Sequence, residues 1–290
     1  MNQKKIGVII LNYNGWKDTI KCADSVLTGR VIPDWLVIVD NASKDESLFN
    51  LQKWQQRRKE KNIVLLAQQV NNGYAAGNNT GIRWLLQKDI DGIWLLNNDT
   101  LVEKNALGAL VERLFNKNGA GLCGSLILYM DRADTVQCRG GGTTNWLTFL
   151  SRQNGNFLKY SEALRASTEE VESELDYIYG ASVMASREFI EEIGLLDENL
   201  FLYCEEQDWA LRARGKFLLA YAPESVVWHK EGETTGTSWR GIKLKSLACL
   251  AKSRIKVTLK HQPWALPTVL LGFAFALIRK IMYKLNKRAK

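Results

Sequence analysis

Short apolar runs alternate with polar or amphipathic stretches through the first hundred positions. The runs that suit buried strands are Ile6–Leu11, Trp35–Val39, Ile63–Leu66 and Ile93–Leu96. Between them, Trp16–Leu27 has apolar residues at helical spacing, the polar stretch 45–60 suits a surface helix, and Tyr74–Leu86 follows a loop rich in Gly and Asn. This order predicts an α/β fold in which a parallel sheet carries helices on both faces.

The pattern is less regular after residue 100. It predicts a helix over Leu101–Phe115, a long strand or strand pair over Ala120–Tyr129, and a strand over Tyr177–Ala185 that leads into a helix. Two short strands are expected at Leu218–Ala222 and Val226–His229, whereas the segment 131–170 gives no clear prediction. We therefore divide the chain into a first half (1–100), a second half (101–240) and a tail (241–290).

Charge sets the tail apart. The net charge is +8, and twelve of the 39 Lys and Arg residues but none of the 31 Asp and Glu residues lie between Lys243 and Lys290. The rest of the chain is slightly acidic, which argues against a nucleic-acid-binding domain. Within the tail, Trp264–Ile278 has no charged residue but is shorter than the roughly 20 residues that span a bilayer. We expect peripheral membrane contact through this tail, with docking on the protein core as the alternative.

The cysteines indicate the compartment. The five cysteines are widely spaced and form no C-x-x-C pair, so neither a zinc site nor a disulfide framework is expected. The first residues lack the pattern of a signal peptide. The sequence therefore predicts a cytoplasmic protein with reduced thiols.

Polar residues follow the predicted strands at the edge where parallel sheets bind ligands. Asn12 and Asp40 come after the first two strands, the loop from Asn71 after the third, and Asp99 after the fourth. Asp40 can accept hydrogen bonds from a nucleobase or ribose, and Asp99 can hold Mg²⁺ or Mn²⁺ while phosphate oxygens fill other positions. Each aspartate can instead cap the helix that follows it.

Two features of the second half add candidate chemistry. Glu205, Glu206 and Asp208 lie within four positions, where crowding and burial can raise one pKa into the range useful to a general base. The alternative is an acidic first helical turn favoured by the helix dipole. His229 ends an apolar run and is a candidate metal ligand, and the loop 234–238 after it has hydroxyl and glycine residues suited to a diphosphate.

Together, these motifs resemble the family 2 glycosyltransferases of the GT-A fold, and most of all their rhamnosyltransferase-type members. The resemblance covers roughly residues 5–235. The motifs that carry it are Val8–Asn14, Val39–Asp45, Asn71–Gly81, Leu95–Thr100, Gly180–Ser182, Phe201–Arg212 and His229. The fold it implies is a mostly parallel central sheet flanked by helices, followed here by the basic, apolar helical tail.

The resemblance also implies which residues bind the donor. The positions that match the donor pocket are Asn12, Asp40, Asn71, Gly77, Asn78 and Asn97. Asp99 matches the metal-binding acid of the family's D-x-D motif, and His229 matches a position that can bind the same Mg²⁺ or Mn²⁺. Because Asn97 replaces the first acid of that motif, we expect the metal to bind weakly without the donor.

On the acceptor side, Glu206 matches the catalytic base of the family's E-D-x-D motif, with Glu205 as a rival candidate. Gly180, Ala181 and Asp208 match positions near the acceptor. The implied reaction is an inverting transfer from a nucleotide sugar to a glycan or polyprenyl-linked acceptor in bacterial surface polysaccharide synthesis, at the inner face of the cytoplasmic membrane. The pattern favours dTDP-L-rhamnose as donor and leaves UDP-hexoses open.

Two other classes of protein remain alternatives. A nucleotidyltransferase also uses carboxylates at strand ends, but it usually has a Gly- and Lys-rich loop after the first strand, which Asn12–Trp16 does not resemble. A non-catalytic membrane-associated binding module would release no nucleoside diphosphate from a sugar nucleotide.

Overall fold

The structure is a computed structural model that describes residues 4–230, 237–238, 241–242 and 244–274. The helices are α1 (Trp16–Leu27), α2 (Ser47–Gln56), α3 (Tyr74–Leu86), α4 (Ala106–Asn116), α5 (Tyr160–Ala163), α6 (Thr168–Ser173), α7 (Arg187–Ile193), α8 (Glu205–Ala213) and α9 (Leu244–His261). The first strands are β1 (Ile6–Asn12), β2 (Trp35–Asp40), β3 (Ile63–Ala67), β4 (Gly92–Asn97), β5 (Thr100–Val102), β6 (Ala120–Tyr129) and β7 (Arg132–Arg139). The remaining strands are β8 (Gly141–Asn145), β9 (Leu150–Gln153), β10 (Tyr177–Ile178), β11 (Ser182–Ser186), β12 (Leu218–His229), β13 (Thr237–Ser238) and β14 (Gly241–Ile242).

A nine-stranded sheet forms the centre of the fold. Its order is β3-β2-β1-β4-β11-β6-β12-β5, with β7 paired to β6. The strands β3, β2, β1, β4, β6 and β12 run in one direction, and β11, β5 and β7 run against them. The predicted mostly parallel α/β sheet is therefore confirmed, with antiparallel strands added in the second half.

The apolar runs became strands because both of their faces are covered. In β1, Val8 and Ile10 pack in a cluster that includes Leu110 of α4, while Ile9 faces the other way into a cluster with Ile82 and Leu85 of α3. Successive side chains of a strand point to opposite faces, so burial on both sides requires the uninterrupted apolar run that the sequence shows.

Three predicted elements differ from the structure. The single strand expected over Tyr177–Ala185 is two strands that belong to different sheets, β10 and β11. The helix expected from Leu101 begins only at Ala106, because Thr100–Val102 instead pairs with β12 as an antiparallel strand. The two short strands expected at the end of the core are one strand, β12, with an irregularity between Ala222 and Val226. The segment 131–170, for which no element was predicted, supplies β7, β8, β9 and α5, and it contains the start of α6.

The C-terminal region packs against the second half of the domain. Val257 of α9 and Val269, in a helical stretch over 266–274, share an apolar cluster with Phe149, Leu200 and Cys204. The predicted helical tail is therefore confirmed up to residue 274, and the rest of it lies outside the described residues. In the part of the chain that the structure describes, no helix is long and apolar enough to cross a bilayer.

Candidate active site

The carboxyl ends of β1 and β2 bring Asn12 and Asp40 side by side. The two residues are register partners, and the Asn12 Nδ2 donates to Asp40 Oδ1 over 2.7 Å. Ala42, with φ of 58°, turns the chain so that the Ser43 hydroxyl also donates to Asp40 Oδ1, at 2.6 Å. Among the described residues, only the Ser43 backbone N–H donates to Asp40 Oδ2, at 3.1 Å, so this oxygen keeps capacity to accept from a ligand.

A buried hydrogen-bond chain leads from this pair towards the end of β4. The Thr19 hydroxyl donates to Asn12 Oδ1 at 2.7 Å, and the Asn98 Nδ2 donates to the Thr19 hydroxyl at 3.1 Å. Thr19 lies on α1 and is completely buried. Sequence reasoning missed it because a threonine inside an amphipathic helix gives no signal by itself.

The loop after β3 is held by its own asparagines. Asn71 Oδ1 accepts from the backbone N–H of Gly73 at 2.9 Å and from the Asn41 Nδ2 at 3.1 Å. The Asn78 Nδ2 donates to the Tyr74 carbonyl at 3.0 Å, and a Cβ on Gly77 would lie 2.5 Å from a Leu11 methyl group. Gly77 thus allows α3 to pack closely against β1, while Asn78 bonds within α3 itself. The role of both residues in the donor pocket stays a prediction.

Asp99 and His229 face each other where β4, β5 and β12 meet. Thr100 and His229 are register partners, which places Asp99 Oδ1 3.3 Å from His229 Nε2. The other ring nitrogen, Nδ1, lies 2.9 Å from Gln137 Oε1. Because this amide oxygen can only accept, Nδ1 must donate, and the Nε2 lone pair of a neutral ring then faces the Asp99 carboxylate.

Such a pair needs a cation between its two lone-pair atoms, either a proton or a metal ion. An oxygen and an imidazole nitrogen are ligands of Mn²⁺ and related divalent cations, and an outer hydrogen bond that fixes the histidine tautomer is usual at metal sites. The residues present therefore fit a divalent cation. Within the described residues, no group of three or more His, Cys, Asp and Glu side chains is placed to hold a metal.

Asn97 and Ala181 join the two halves of the site. The backbone N–H of Asn97 donates to the Ala181 carbonyl at 3.0 Å, as β11 passes antiparallel to β4. Neighbouring Gly180 accepts a 3.0 Å hydrogen bond from the hydroxyl of Tyr74 on α3. Burial and the charges of Glu206, Glu205 and Asp99 raise the pKa of Tyr74. The charges of the two glutamates and of Asp99 therefore act on the Tyr74 hydroxyl. Sequence reasoning had not singled out Tyr74.

The two glutamates at the start of α8 have different surroundings. Glu206 lies against Gly180, because a Cβ built on that glycine would be 1.6 Å from Glu206 Oε1. Burial raises the pKa of Glu206 to about 7. Glu205 is 1% exposed, and its Oε1 has no hydrogen-bond partner among the described residues. Burial, together with the charge of Glu206, raises the pKa of Glu205 well above the ordinary value. Only Glu206 combines partial exposure with a pKa near neutrality.

Asp208 holds α8 to α9. It is completely buried, and its Oδ1 accepts from His261 Nε2 at 2.7 Å and Lys260 Nζ at 2.8 Å, while Oδ2 accepts from Arg212 Nε at 2.9 Å. Burial alone would raise its pKa, but the hydrogen bonds from His261 and Lys260 and the charge of Arg212 hold the pKa at about 2. Contact between Asp208 and an acceptor stays a prediction.

Residues 234–236 of the loop 234–238, considered for a diphosphate, lie outside the described residues, and Thr237–Ser238 forms the strand β13. The structure brings the other predicted residues together in two groups. One group surrounds Asp40 and Asp99 at the strand ends, and the other surrounds Glu206 and Gly180, with Tyr74 and Asn97 between the groups.

Comparison with known proteins gives the same assignment as these motifs. Residues 7–163 match the family model described as Glycosyl transferase family 2. The low-salt glycan biosynthesis hexosyltransferase Agl10 of Haloferax volcanii is 27% identical over 210 residues, or 72% of this chain and 61% of the relative. The dTDP-rhamnosyl transferase RfbF of Shigella flexneri is 22% identical over 203 residues, or 69% of this chain and 60% of the relative. The chain thus spans about three fifths of the length of these curated relatives.

Two solved structures establish the fold. GalNAc-T7 with UDP, GalNAc and Mn²⁺ is similar at a TM-score of 0.65 and 18% identity, covering 89% of this chain and 48% of the other. The mannosyltransferase PcManGT of Pyrobaculum calidifontis, with GDP-Man and Mn²⁺, gives a TM-score of 0.62 at 16% identity, covering 98% of this chain and 81% of the other. At such identities the likeness concerns the fold alone, and it confirms the GT-A fold predicted from the motifs.

Proposed function

The chain belongs to glycosyl transferase family 2, and from this premise we propose that it is an inverting, metal-dependent glycosyltransferase that uses a nucleotide-sugar donor. The observation that carries the mechanism is the position of Glu206, whose carboxylate lies against Gly180 with a pKa of about 7. A carboxylate with that pKa is ionised in half of the molecules at neutral pH and is still basic enough to accept a proton from a hydroxyl group.

The donor is held by the strand-end residues. Asn12 and Ser43 fix the Asp40 carboxylate, and its free acceptor capacity suits an N–H of the base or a hydroxyl of the ribose. Asp99 and His229 would hold Mg²⁺ or Mn²⁺ when the donor diphosphate is bound. When bound, the cation neutralises the charge that grows on the departing diphosphate. Because Asn97 stands where the motif has an acid, the site has one carboxylate fewer to bind the metal. We therefore expect the metal to bind well only when the donor is also bound.

The transfer step follows from Glu206. Its carboxylate accepts the proton of an acceptor hydroxyl, and the oxygen forms a bond to the anomeric carbon as the bond to the diphosphate oxygen breaks. The electron pair of that bond leaves with the nucleoside diphosphate. Because attack and departure occur on opposite sides of one carbon, the configuration inverts. Glu205 is a poorer base since it is almost fully buried.

The glutamine variant Glu206→Gln tests the base. Transfer should fall by about 10²- to 10⁴-fold, the usual contribution of a general base, while donor binding is retained. The matched control is Glu188→Gln, which removes an exposed acid from the first turn of neighbouring α7 and should leave the rate unchanged. Full transfer by Glu206→Gln would refute the assignment, and full transfer after exhaustive EDTA treatment would refute the metal requirement.

For the donor we propose dTDP-L-rhamnose, with UDP-hexoses as the second candidate. The first is supported by the motif pattern and by the name of the Shigella flexneri relative, and the second by the hexosyltransferase relative. A panel of sugar nucleotides screened by thermal shift with Mn²⁺ distinguishes them, because the ligand that binds raises the apparent stability. A shift with UDP-sugars alone would contradict the rhamnose assignment.

For the acceptor we propose a glycan or polyprenyl-linked glycan in bacterial surface polysaccharide synthesis, reached from the cytoplasmic face of the membrane. Support comes from the tail, which has twelve basic and no acidic residues from Lys243 onward, next to an uncharged stretch. Transfer to lipid-extracted acceptor in vesicles, with none to free oligosaccharide, is the expected result. Equal transfer to both would remove the need for a lipid carrier.

A further inference from the structure

We propose that the tip of the β8–β9 hairpin and the segment 263–274 form one lipid-binding surface that seats the active site on an anionic bilayer. The surface, here called the apolar ridge, consists of Leu147, Leu150, Trp264, Leu270 and Leu271. The inference rests on the proposed function for its purpose, access to a lipid-linked acceptor. It goes beyond the expected role of the tail, because it gives a second membrane contact to a hairpin more than a hundred residues earlier in the chain.

The two parts of the apolar ridge are in direct contact. The hydroxyl of Thr268 donates to the Leu147 carbonyl. Beneath the exposed leucines, Phe149 of the hairpin and Val269 of the segment are buried in the same apolar cluster. Trp146 packs edge-to-face on Phe149, with ring centroids 5.7 Å apart. The hairpin and the segment are therefore packed together, with their outer side chains on the same packed unit.

The outer side of this body is exposed and uncharged. The five side chains of the apolar ridge are between 47% and 69% exposed. No charged residue occurs from Pro263 to Ala274, and the exposed positions of that segment include prolines, a threonine and an alanine besides the ridge residues. Single exposed leucines need no explanation, but a contiguous group of this kind marks an interaction surface.

The charge beside the apolar ridge selects the occupant. Basic residues follow the uncharged stretch in the sequence, and Arg214 lies over the Trp146 ring at 4.5 Å. An apolar surface that has an exposed Trp and Arg214 beside its hairpin, and that basic residues follow in the sequence, suits the interface of an anionic bilayer. There, apolar side chains enter the acyl boundary and cations meet phosphate groups. Association of two copies would instead bring the two basic tails together and leave their charge uncompensated.

The apolar ridge also adjoins the proposed base. Gln207, the residue after Glu206, donates from Nε2 to the hydroxyl of Ser151 on β9 at 3.3 Å. Cys204, which precedes both glutamates, belongs to the cluster beneath the ridge. When the ridge lies on a bilayer, the start of α8 is therefore near the lipid surface, and a lipid-linked acceptor can reach Glu206 while its carrier stays in the membrane.

The experiment measures partition of the full chain into vesicles of phosphatidylcholine with and without phosphatidylglycerol. The test variant is Leu147→Glu/Leu150→Glu, with Leu147→Ser/Leu150→Ser as a milder form, and the tail variant is Leu270→Glu/Leu271→Glu. The matched control is Ile32→Glu/Phe49→Glu, which places two charges at exposed apolar positions outside the ridge. All variants change exposed side chains, so their thermal unfolding should resemble that of the wild type.

We expect the wild type to bind the anionic vesicles and the control to bind equally well. The hairpin and tail variants should each bind at least about tenfold more weakly, since each loses the insertion of two half-exposed leucines. The proposal is overturned if the hairpin variant binds the vesicles as tightly as the wild type does. It is also overturned if the wild-type chain does not bind the vesicles and instead dimerises through these leucines. Transfer to a detergent-solubilised lipid-linked acceptor, followed as nucleotide release without vesicles, should be the same for wild type and hairpin variant. Its absence from the wild type would instead contradict the proposed function, while the vesicle result still reports on the surface.

Discussion

The contact between Gly180 and Glu206 gives the sharpest test of the active-site geometry. A Cβ at position 180 would lie 1.6 Å from Glu206 Oε1, and real Cβ atoms essentially never come within 3.0 Å of another heavy atom. In Gly180→Ala the carboxylate oxygen must therefore move by at least about 1.4 Å. The backbone at Gly180 is not in the left-handed region, so alanine introduces no backbone strain there.

The displaced atom is the end of a flexible side chain, so the cost to stability should be small. A shifted Glu206 rotamer costs about 0.5–1.5 kcal/mol, which lowers the Tm by a few degrees at most. The rate should suffer far more, because a misplacement of about 1 Å at a reacting group costs roughly 10²-fold, or about 2.7 kcal/mol in the barrier. Donor affinity should not change.

The assay is the steady-state rate of transfer, with thermal unfolding and donor binding measured in parallel. Gly108→Ala on helix α4 is the control, because its added methyl group meets no catalytic candidate: it would lie 3.1 Å from a methyl group of Val31 and 3.5 Å from Asn105 Oδ1. The double variant Gly180→Ala/Glu206→Gln should be no slower than Glu206→Gln alone, since both changes act through one carboxylate. Wild-type activity of Gly180→Ala, or a further loss in the double variant, would refute the placement of the base.

Three other predictions concern charge and metal. The rate of transfer should fall as the pH drops through about 7, because burial raises the pKa of Glu206 to that value and the protonated acid cannot accept a proton. A pH–rate profile whose acidic limb lies near the ordinary pKa of 4.5 would contradict this. Asp208→Asn should lower the free energy of unfolding by about 2 kcal/mol at neutral pH, because the native pKa of Asp208 is lowered from 3.8 to about 2. The wild type should lose that contribution as the pH falls from about 4 towards 2. Equal unfolding curves of variant and wild type at neutral pH would rule this out. Gln137→Leu should raise the Mn²⁺ concentration needed for half-maximal activity by about 10- to 100-fold, since His229 Nδ1 loses the amide oxygen that orients the ring. An unchanged metal titration would speak against His229 as a ligand.

The sequence determined the sheet and the edge where the donor-side residues meet. Strands buried on both faces must be apolar throughout, and parallel strands end together, so Asn12, Asp40 and Asp99 could be located from the runs that precede them. The resemblance added Glu206 and His229, whose local pattern alone left a helix turn and a structural histidine as alternatives. The uncharged, basic-flanked tail was also visible in the order of residues.

Only the tertiary structure decided which groups touch those residues. Gln137 reaches His229 across 92 positions, Tyr74 reaches Gly180 across 106, and His261 reaches Asp208 across 53. Periodicity reports which face of an element is buried, but it carries no information on which distant element covers that face. Likewise, the sequence did not distinguish Leu147 and Leu150 from ordinary loop residues. Their role became visible only from the packing of the hairpin against the C-terminal segment. The order of residues thus specified the sheet edge where the donor-side residues lie. The orientation of His229, the position of Glu206 and the extent of the apolar ridge depend instead on long-range packing.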